Sequence, residues 1–381
     1  MVSGALIWSR ARPRLQEAET NAGPAGMILG DGAVRLWGMS ARERLARTYR
    51  RAGVSLDGAG ATTVLTLGDW VYDEVLVATL AKRPGTVLVT AEGRAVAAHV
   101  ASEAAALAAV NLKAGRAPAG LKLLSPDELA YNHALRKRST PVLTELTTDN
   151  VRAVEARLFG GSYKGVTDLV TKYVWPVPAR IVTRWCAVLR MTPNQVTFVG
   201  FLLVLAAFWL FWRGEFGWGL ACAWLMTFLD TVDGKLARVT LTSSKIGNAF
   251  DHGIDLIHPP FWWWAWWVGL FVVSQPPPWA EAVLLVTVGG YVLQRVQEGI
   301  FLGLFRVEIH AWRRFDSFFR LITTRRNPNL ILLTLAWLVG RPDVGMVLVA
   351  AWTVVSLAVH LVQILQALAA PKGQVVSWLS R

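Results

Sequence analysis

Six long apolar segments fill the second half of the chain, at about 195–213, 217–240, 246–274, 279–304, 327–341 and 343–368, and they limit its fold more than any other feature. A helix needs about 20 residues to cross a hydrocarbon core, and most of these segments have that length, the fifth being the shortest. With 54% hydrophobic residues and a mean hydropathy of +0.39, the chain is too apolar for an ordinary soluble protein. A formal charge of +13 comes without any zinc-finger, RNP or basic-zipper pattern. It therefore reads as Lys/Arg bias at one membrane face, not as a nucleic-acid surface.

Only Cys186 and Cys222 are present, which excludes a disulfide framework or a CxxC metal site. The opening stretch MVSGALIWSRARPRLQEAE has no apolar run long enough for a secretory signal before Arg10. The first part of the chain is thus expected in the cytoplasm.

Residues 1–150 differ from the rest. Short β-rich runs (61–68, 86–91, 94–100) alternate with helical patterns (40–53, 125–138), which predicts a small cytoplasmic α/β domain with a largely parallel, Rossmann-like sheet. Residues 151–192 form a linker and an interfacial segment. Within it, 163–191 interleaves Lys and Arg with Val, Trp, Ile and Leu, and Pro176 and Pro178 argue against one straight helix. Residues 193–370 form an all-α polytopic membrane domain of six transmembrane helices, and 371–381 a cytoplasmic tail. The outer loops hold Arg213 and Arg341, whereas the connection 305–326 holds Arg306, Arg313, Arg314, Arg320, Arg325 and Arg326. That asymmetry places both termini, the end of span two and the start of span three on the cytoplasmic side.

That face carries the chemistry. The stretch FLDTVDGKLARVTLTSSKIGNAFDHGIDLIHPPFWWWAWW, 228–267, holds four aspartates between apolar ends. An acid at mid-bilayer depth costs about 2.5–3.5 kcal/mol on insertion scales, so such residues usually face a cavity. Asp230 and Asp233 are three apart and share a helix face; Asp251 and Asp255 are four apart and share another. Four converging carboxylates call for a hard divalent cation, Mg²⁺ or Mn²⁺, and a two-metal arrangement suits phosphoryl chemistry. Lys235 and Arg238 supply positive charge for phosphate oxygens. Alternatively, the acids pair with Arg238, Lys235 and Lys245 simply to hold the hairpin together.

Spacing separates the two readings. From Asp230 the chain reads D-x2-D-G-x2-A-R-x8-G-x3-D-x3-D, filled by Asp230, Asp233, Gly234, Ala237, Arg238, Gly247, Asp251 and Asp255. In this motif, in TPNQVT at 192–197 and in its six spans, the region 163–370 resembles the CDP-alcohol phosphotransferase (CDP-alcohol phosphatidyltransferase) family. The resemblance implies a membrane enzyme of phospholipid-type biosynthesis that moves a phospho-alcohol from a CDP-alcohol to an acceptor alcohol, a phospho-polyol such as inositol phosphate or a lipid alcohol, releasing CMP. It further implies Asp230, Asp233, Asp251 and Asp255 as metal ligands, Asp255 as general base, and Asp233, Gly234, Ala237 and Arg238 along the CDP moiety. Membrane lipids are implied partners, and homodimers are common in the family. Arg313, Arg314, Arg320, Arg325 and Arg326 are candidates for an acceptor or phosphate group; positive-inside topology and lipid headgroups account for the same residues.

The whole layout resembles fused inositol-1-phosphate cytidylyltransferase and di-myo-inositol-phosphate-phosphate synthase proteins. Residues 38–54 look like a nucleotidyltransferase segment, but the matching NAGPAGMILGDGAVRLW lacks a G-x-G-x-R run and a following lysine. The N-terminal domain is therefore expected to be a degenerate nucleotidyltransferase-like cap. Asp69 in LGDW is either a remnant metal ligand or a turn residue. An ion transporter or a non-catalytic membrane anchor are the alternatives from other classes. His252 and His258 are expected to stay out of a hard-metal site, and FWWWAWW at 261–267 to meet lipid.

Overall fold

The computed structural model describes residues 23–380 apart from 57, 130, 133–136, 139, 244 and 372. The chain divides into two compact units, residues 1–130 with 139–157, and residues 131–138 with 158–381.

In the first unit, β1 (Ala25–Leu29), β2 (Thr62–Leu67), β4 (Thr86–Val89), β5 (Ala95–Ala101) and β6 (Lys122–Leu124) form one sheet in the order β1-β2-β5-β4-β6. β1 runs parallel to β2 and β4 to β6, but β5 is antiparallel to both of its neighbours. The sheet is therefore mixed, not largely parallel. The cause is local: Thr90 and Arg94 close a tight turn between β4 and β5, with Gly93 at φ 82°. A connection that short joins only antiparallel strands. A second short strand, β3 (Trp70–Tyr72), pairs with β7 (Leu143–Glu145).

Helices α1 (Ala41–Ala52), α2 (Glu74–Ala81) and α3 (Ala105–Lys113) cover the sheet. Ser40 caps α1 by accepting from the Glu43 amide at 3.1 Å, and Gly53 at φ 75° ends it. Tyr49 then pins α1 to the sheet, its hydroxyl lying 2.8 Å from Thr66 Oγ1. Among the described residues of 125–138 the expected helix does not stand: Pro126–Leu129 is a single 3₁₀ turn, and Tyr131–Asn132 pairs antiparallel with Lys137–Arg138, while 130 and 133–136 lie outside the described residues. Its helical periodicity was a weak prior that strand pairing overrides.

The second unit is helical. A π turn at Val170–Val174 leads into α5 (Pro176–Val188), which follows α4 (Val151–Gly161). Pro176 opens α5, where its missing N–H costs nothing. Ala179, Thr183 and Cys186 are buried, while Val177, Ile181, Trp185 and Val188 form an exposed apolar stripe.

Six helices then stand where the six apolar segments were expected: α6 (Pro193–Trp212), α7 (Phe216–Val239), α8 (Lys245–Val272), α9 (Ala280–Phe305), α11 (Arg326–Leu338) and α12 (Pro342–Ala369), with a short α10 (Arg314–Phe319) before α11. Among the described residues, two of them, α6 and α12, are long and apolar enough by length and composition to cross a membrane. α7 and α9 have 24 and 26 residues but carry charged side chains, and α11 has only 13. Thr192 and Gln195 of TPNQVT form a reciprocal capping box that starts α6.

The tryptophan run does not simply face lipid. Trp262, Trp263 and Trp266 are fully buried, and the Trp262 and Trp266 indoles donate to the carbonyls of Val204 and Pro342 at 3.0 and 3.2 Å. Gly269 lets α8 press against the end of α6: a Cβ there would sit 2.0 Å from the Phe211 carbonyl oxygen. Only the outer positions, such as Trp264, remain exposed.

Candidate active site

α7 carries Asp230 and Asp233 on one turn, and α8 carries Asp255. The two elements are bridged by Arg326, the first residue of α11: one guanidinium nitrogen donates to Asp230 and the other to Asp255. A planar fork serving two carboxylates at once is what arginine, not lysine, supplies. Asp255 is the more open of the pair, its side chain 38% exposed against 18% for Asp230. Asp233 is buried, and its Oδ2 accepts from the Thr197 hydroxyl of α6 at 2.6 Å. Its Oδ1 is buried with no partner among the described residues. Asp251 lies one turn before Asp255 on α8; its side chain and that of His252 fall outside the described residues.

A hard divalent cation fits this donor set. The groups are carboxylate oxygens, and a buried carboxylate oxygen without a hydrogen-bond donor asks for an ion. His258 does not compete for it through both nitrogens, since Nδ1 bonds the Ile254 carbonyl at 2.7 Å; its Nε2 is buried without a partner among the described residues.

The positions along α7 that follow the acids behave differently from one another. Among the described residues a Cβ on Gly234 would meet only the Arg238 guanidinium, at 3.7 and 3.9 Å. Ala237 is buried. Lys235 and Arg238 both donate to the Ser162 carbonyl, at 3.2 and 3.3 Å, and Lys235 Nζ sits 3.4 Å over the Tyr163 ring. Lys235 is thus a buried strut, whereas Arg238 stays partly exposed.

The five candidate arginines of the connection separate. Arg313 is tied to Asp316 and to Gln366 and lies 4.0 Å over Trp312; Arg314 lies 5.5 Å over Trp378. Arg325 donates to both oxygens of Glu298 at 2.6 Å, and Arg295 adds a contact at 3.1 Å. His310 Nε2 is 3.2 Å from the same carboxylate, and the His360 ring is 5.2 Å from that of His310. Burial, with help from the neighbouring arginines, holds the His310 imidazole well below its ordinary pKa, so it is neutral.

Glu298, His310 and His360 offer three ligand atoms within 4.8 Å of one another. Arg325 and Arg295 already over-neutralise that carboxylate, which favours an anion there over a cation. Arg320 Nη1, Arg325 Nε, Arg295 Nε and both His360 nitrogens are buried without a partner among the described residues. Asp168 faces this group. Burial alone would raise its pKa, but Arg320 and hydrogen bonds from Thr171 and Asn327 outweigh that and hold it below the ordinary carboxylate value. None of Asp168, Arg295, Glu298, His310 and His360 was singled out from sequence. Arg295 and Glu298 did carry a signal, being charges three apart inside an apolar span.

In the first unit, Gly30 at φ 80° and Gly32 follow β1, and a Cβ on Gly32 would lie 3.1 Å from the Gly68 oxygen and 3.3 Å from Asp69 Cα. The glycine loop and LGDW therefore meet at the carboxyl ends of the parallel strands β1 and β2. Arg35 comes one residue later than a G-x-G-x-R run would place it.

Residues 190–301 match the CDP-alcohol phosphatidyltransferase family. The chain carries a CDP-alcohol phosphatidyltransferase domain. All eight motif positions lie inside it, and Arg313–Arg326 lie beyond it. Among similar proteins are the archaetidylinositol phosphate synthase of Pyrococcus horikoshii, 39% identical over 79 residues (20% of this chain, 42% of that one), and the phosphatidylinositol phosphate synthase of Streptomyces avermitilis, 33% identical over 93 residues (23% and 38%). Ethanolaminephosphotransferase 1 of Homo sapiens is 35% identical over 98 residues, 21% of this chain and 23% of that one. The chain spans less than half the length of each of these relatives.

Proposed function

We propose that the protein is a multi-pass membrane CDP-alcohol phosphotransferase whose active site faces the cytoplasm. The observation that carries this is the convergence of Asp230 and Asp255, from separate helices, on one cationic group, with Asp233 Oδ1 buried and without a partner among the described residues. Asp230, Asp233, Asp251 and Asp255 would hold Mg²⁺ or Mn²⁺, which when bound neutralises phosphate charge and polarises the phosphorus. Gly234 leaves room for the CDP phosphates to approach α7 beside the Arg238 guanidinium, with Ala237 three residues further along the same helix. The accessible Asp255 carboxylate takes the proton of the acceptor hydroxyl. The acceptor oxygen forms the new P–O bond, the bond to CMP breaks, and CMP leaves with that electron pair.

The acceptor reading follows the arginines. Arg320 and Arg325, joined by Arg295, present buried N–H groups that a phosphate-bearing polyol such as inositol phosphate would satisfy, as guanidinium forks suit phosphate oxygens. Arg313 and Arg314 are engaged elsewhere and are not assigned to it. Single Asp→Asn changes at 230, 233, 251 and 255 test the proposal. Each should abolish CMP release while leaving size-exclusion behaviour unchanged; retention of activity in Asp255→Asn would remove the assigned base.

The contact between the glycine loop and Asp69 supports a second reading, nucleotide binding in the N-terminal unit. A fused inositol-1-phosphate cytidylyltransferase would release pyrophosphate from CTP and inositol phosphate. No release, and no CTP binding, would leave that unit as a cap.

A further inference from the structure

We propose that Arg326 is a displaceable counter-ion that competes with the divalent cation for Asp230 and Asp255. This inference rests on the metal-dependent reading of the same site and adds a residue outside its motif. Arg326 lies 71 residues beyond Asp255 and outside the family match, yet it engages both acids at once. Among the described residues its other hydrogen-bond contact is weak, Nη1 to the Met226 sulfur at 3.6 Å. A cation seated between the Asp230 and Asp255 carboxylates and a guanidinium bridging the same two groups compete for one gap, where their positive charges repel.

Two consequences follow. Asp230 and Asp255 are held in apposition by a group from a third helix, so the site is preassembled before a metal arrives. The metal must also evict a bidentate ion pair, so its affinity is set below what four carboxylates alone would give.

The first test uses the unmutated full-length protein in detergent. Phenylglyoxal modifies accessible arginines, and mass spectrometry of the Arg326 peptide reads its extent. Mn²⁺ should accelerate modification of Arg326 several-fold and leave Arg313, tied to Asp316 and Gln366, unchanged. An unchanged or slower rate at Arg326, with Mn²⁺ shown to bind, overturns the inference.

The second test is the Mn²⁺ Kd, read from the free-ion EPR signal. Arg326→Lys keeps the charge but cannot serve both carboxylates as a fork, so it should bind Mn²⁺ about tenfold more tightly than the unmutated protein, the loss of one charge-assisted hydrogen bond. Long-range repulsion alone predicts no change in Arg326→Lys, and that result would also overturn the inference. Failure of all forms to bind Mn²⁺ would remove the metal-dependent reading itself, and this inference with it.

Discussion

Glu298→Gln is the most informative single change outside the aspartate motif. The carboxylate receives Arg325 on both oxygens at 2.6 Å, Arg295 at 3.1 Å and His310 at 3.2 Å. Neutralising it leaves two guanidiniums facing each other in a site where the side chains of Glu298 and Arg325 are 18% and 25% exposed. Breaking a fully buried pair costs about 3–5 kcal/mol, and this partial exposure puts the expected loss near the lower end, about 2–3 kcal/mol. At about 2–4 °C per kcal/mol for a unit of this size, Tm should fall by about 5–10 °C. Intrinsic tryptophan fluorescence during heating in detergent provides the assay. The double variant Glu298→Gln/Arg325→Gln should recover at least half of the loss, since it removes the stranded charge along with its partner. A single variant within about 0.5 kcal/mol of the unmutated protein, or a double variant equal to the sum of the singles, would refute the pairing as an energetic unit.

Thr197→Val removes the hydroxyl that orients Asp233 and should lower CMP release about 10–100-fold at limiting Mg²⁺, with partial recovery at saturating metal; equal activity at both would show that the bond is idle. Gly269→Ala drives a methyl group into the Phe211 carbonyl and should cost about 1–3 kcal/mol, whereas Gly303→Ala, with nothing within 4 Å, should not lower Tm. His99 is held neutral by burial, with Nδ1 2.9 Å from the Leu80 carbonyl, so its folded pKa lies below the unfolded value. Its stabilising contribution is therefore complete above the unfolded pKa of about 6.5 and is lost as pH falls through the lowered folded value; His99→Gln should reduce the drop in Tm between pH 7 and pH 5.

Much of the helical unit was legible because its information is local. The apolar segments became helices within a few residues of the expected limits, TPNQVT became a capping box, and the spacing of Asp230, Asp233 and Asp255 was enough to place them together. Where the sequence misled, the deciding contact was elsewhere in the chain or in an under-weighted turn. Glu92 and Gly93 sit in the tight β4–β5 turn that makes the sheet mixed. Trp262 and Trp266 share one face of α8, and that face meets Val204 and Pro342, which no local rule could show. Likewise, nothing between 306 and 329 distinguishes Arg326, which reaches the aspartates, from Arg313, which is bound to Asp316; only the packing of α11 against α7 does so.

CMP release from the purified, detergent-solubilised protein decides whether it is a CDP-alcohol phosphotransferase. The grid crosses Mg²⁺ or Mn²⁺ with CDP-diacylglycerol, CDP-inositol and CDP-glycerol as donors, and with inositol phosphate, inositol, glycerol phosphate and lipid alcohols as acceptors. CMP should form only when metal, donor and acceptor are all present, with a phosphate-bearing polyol as the best acceptor and none released by Asp255→Asn. CMP formed equally without acceptor, or no CMP across the whole grid from folded, Mn²⁺-binding protein, would contradict that reading.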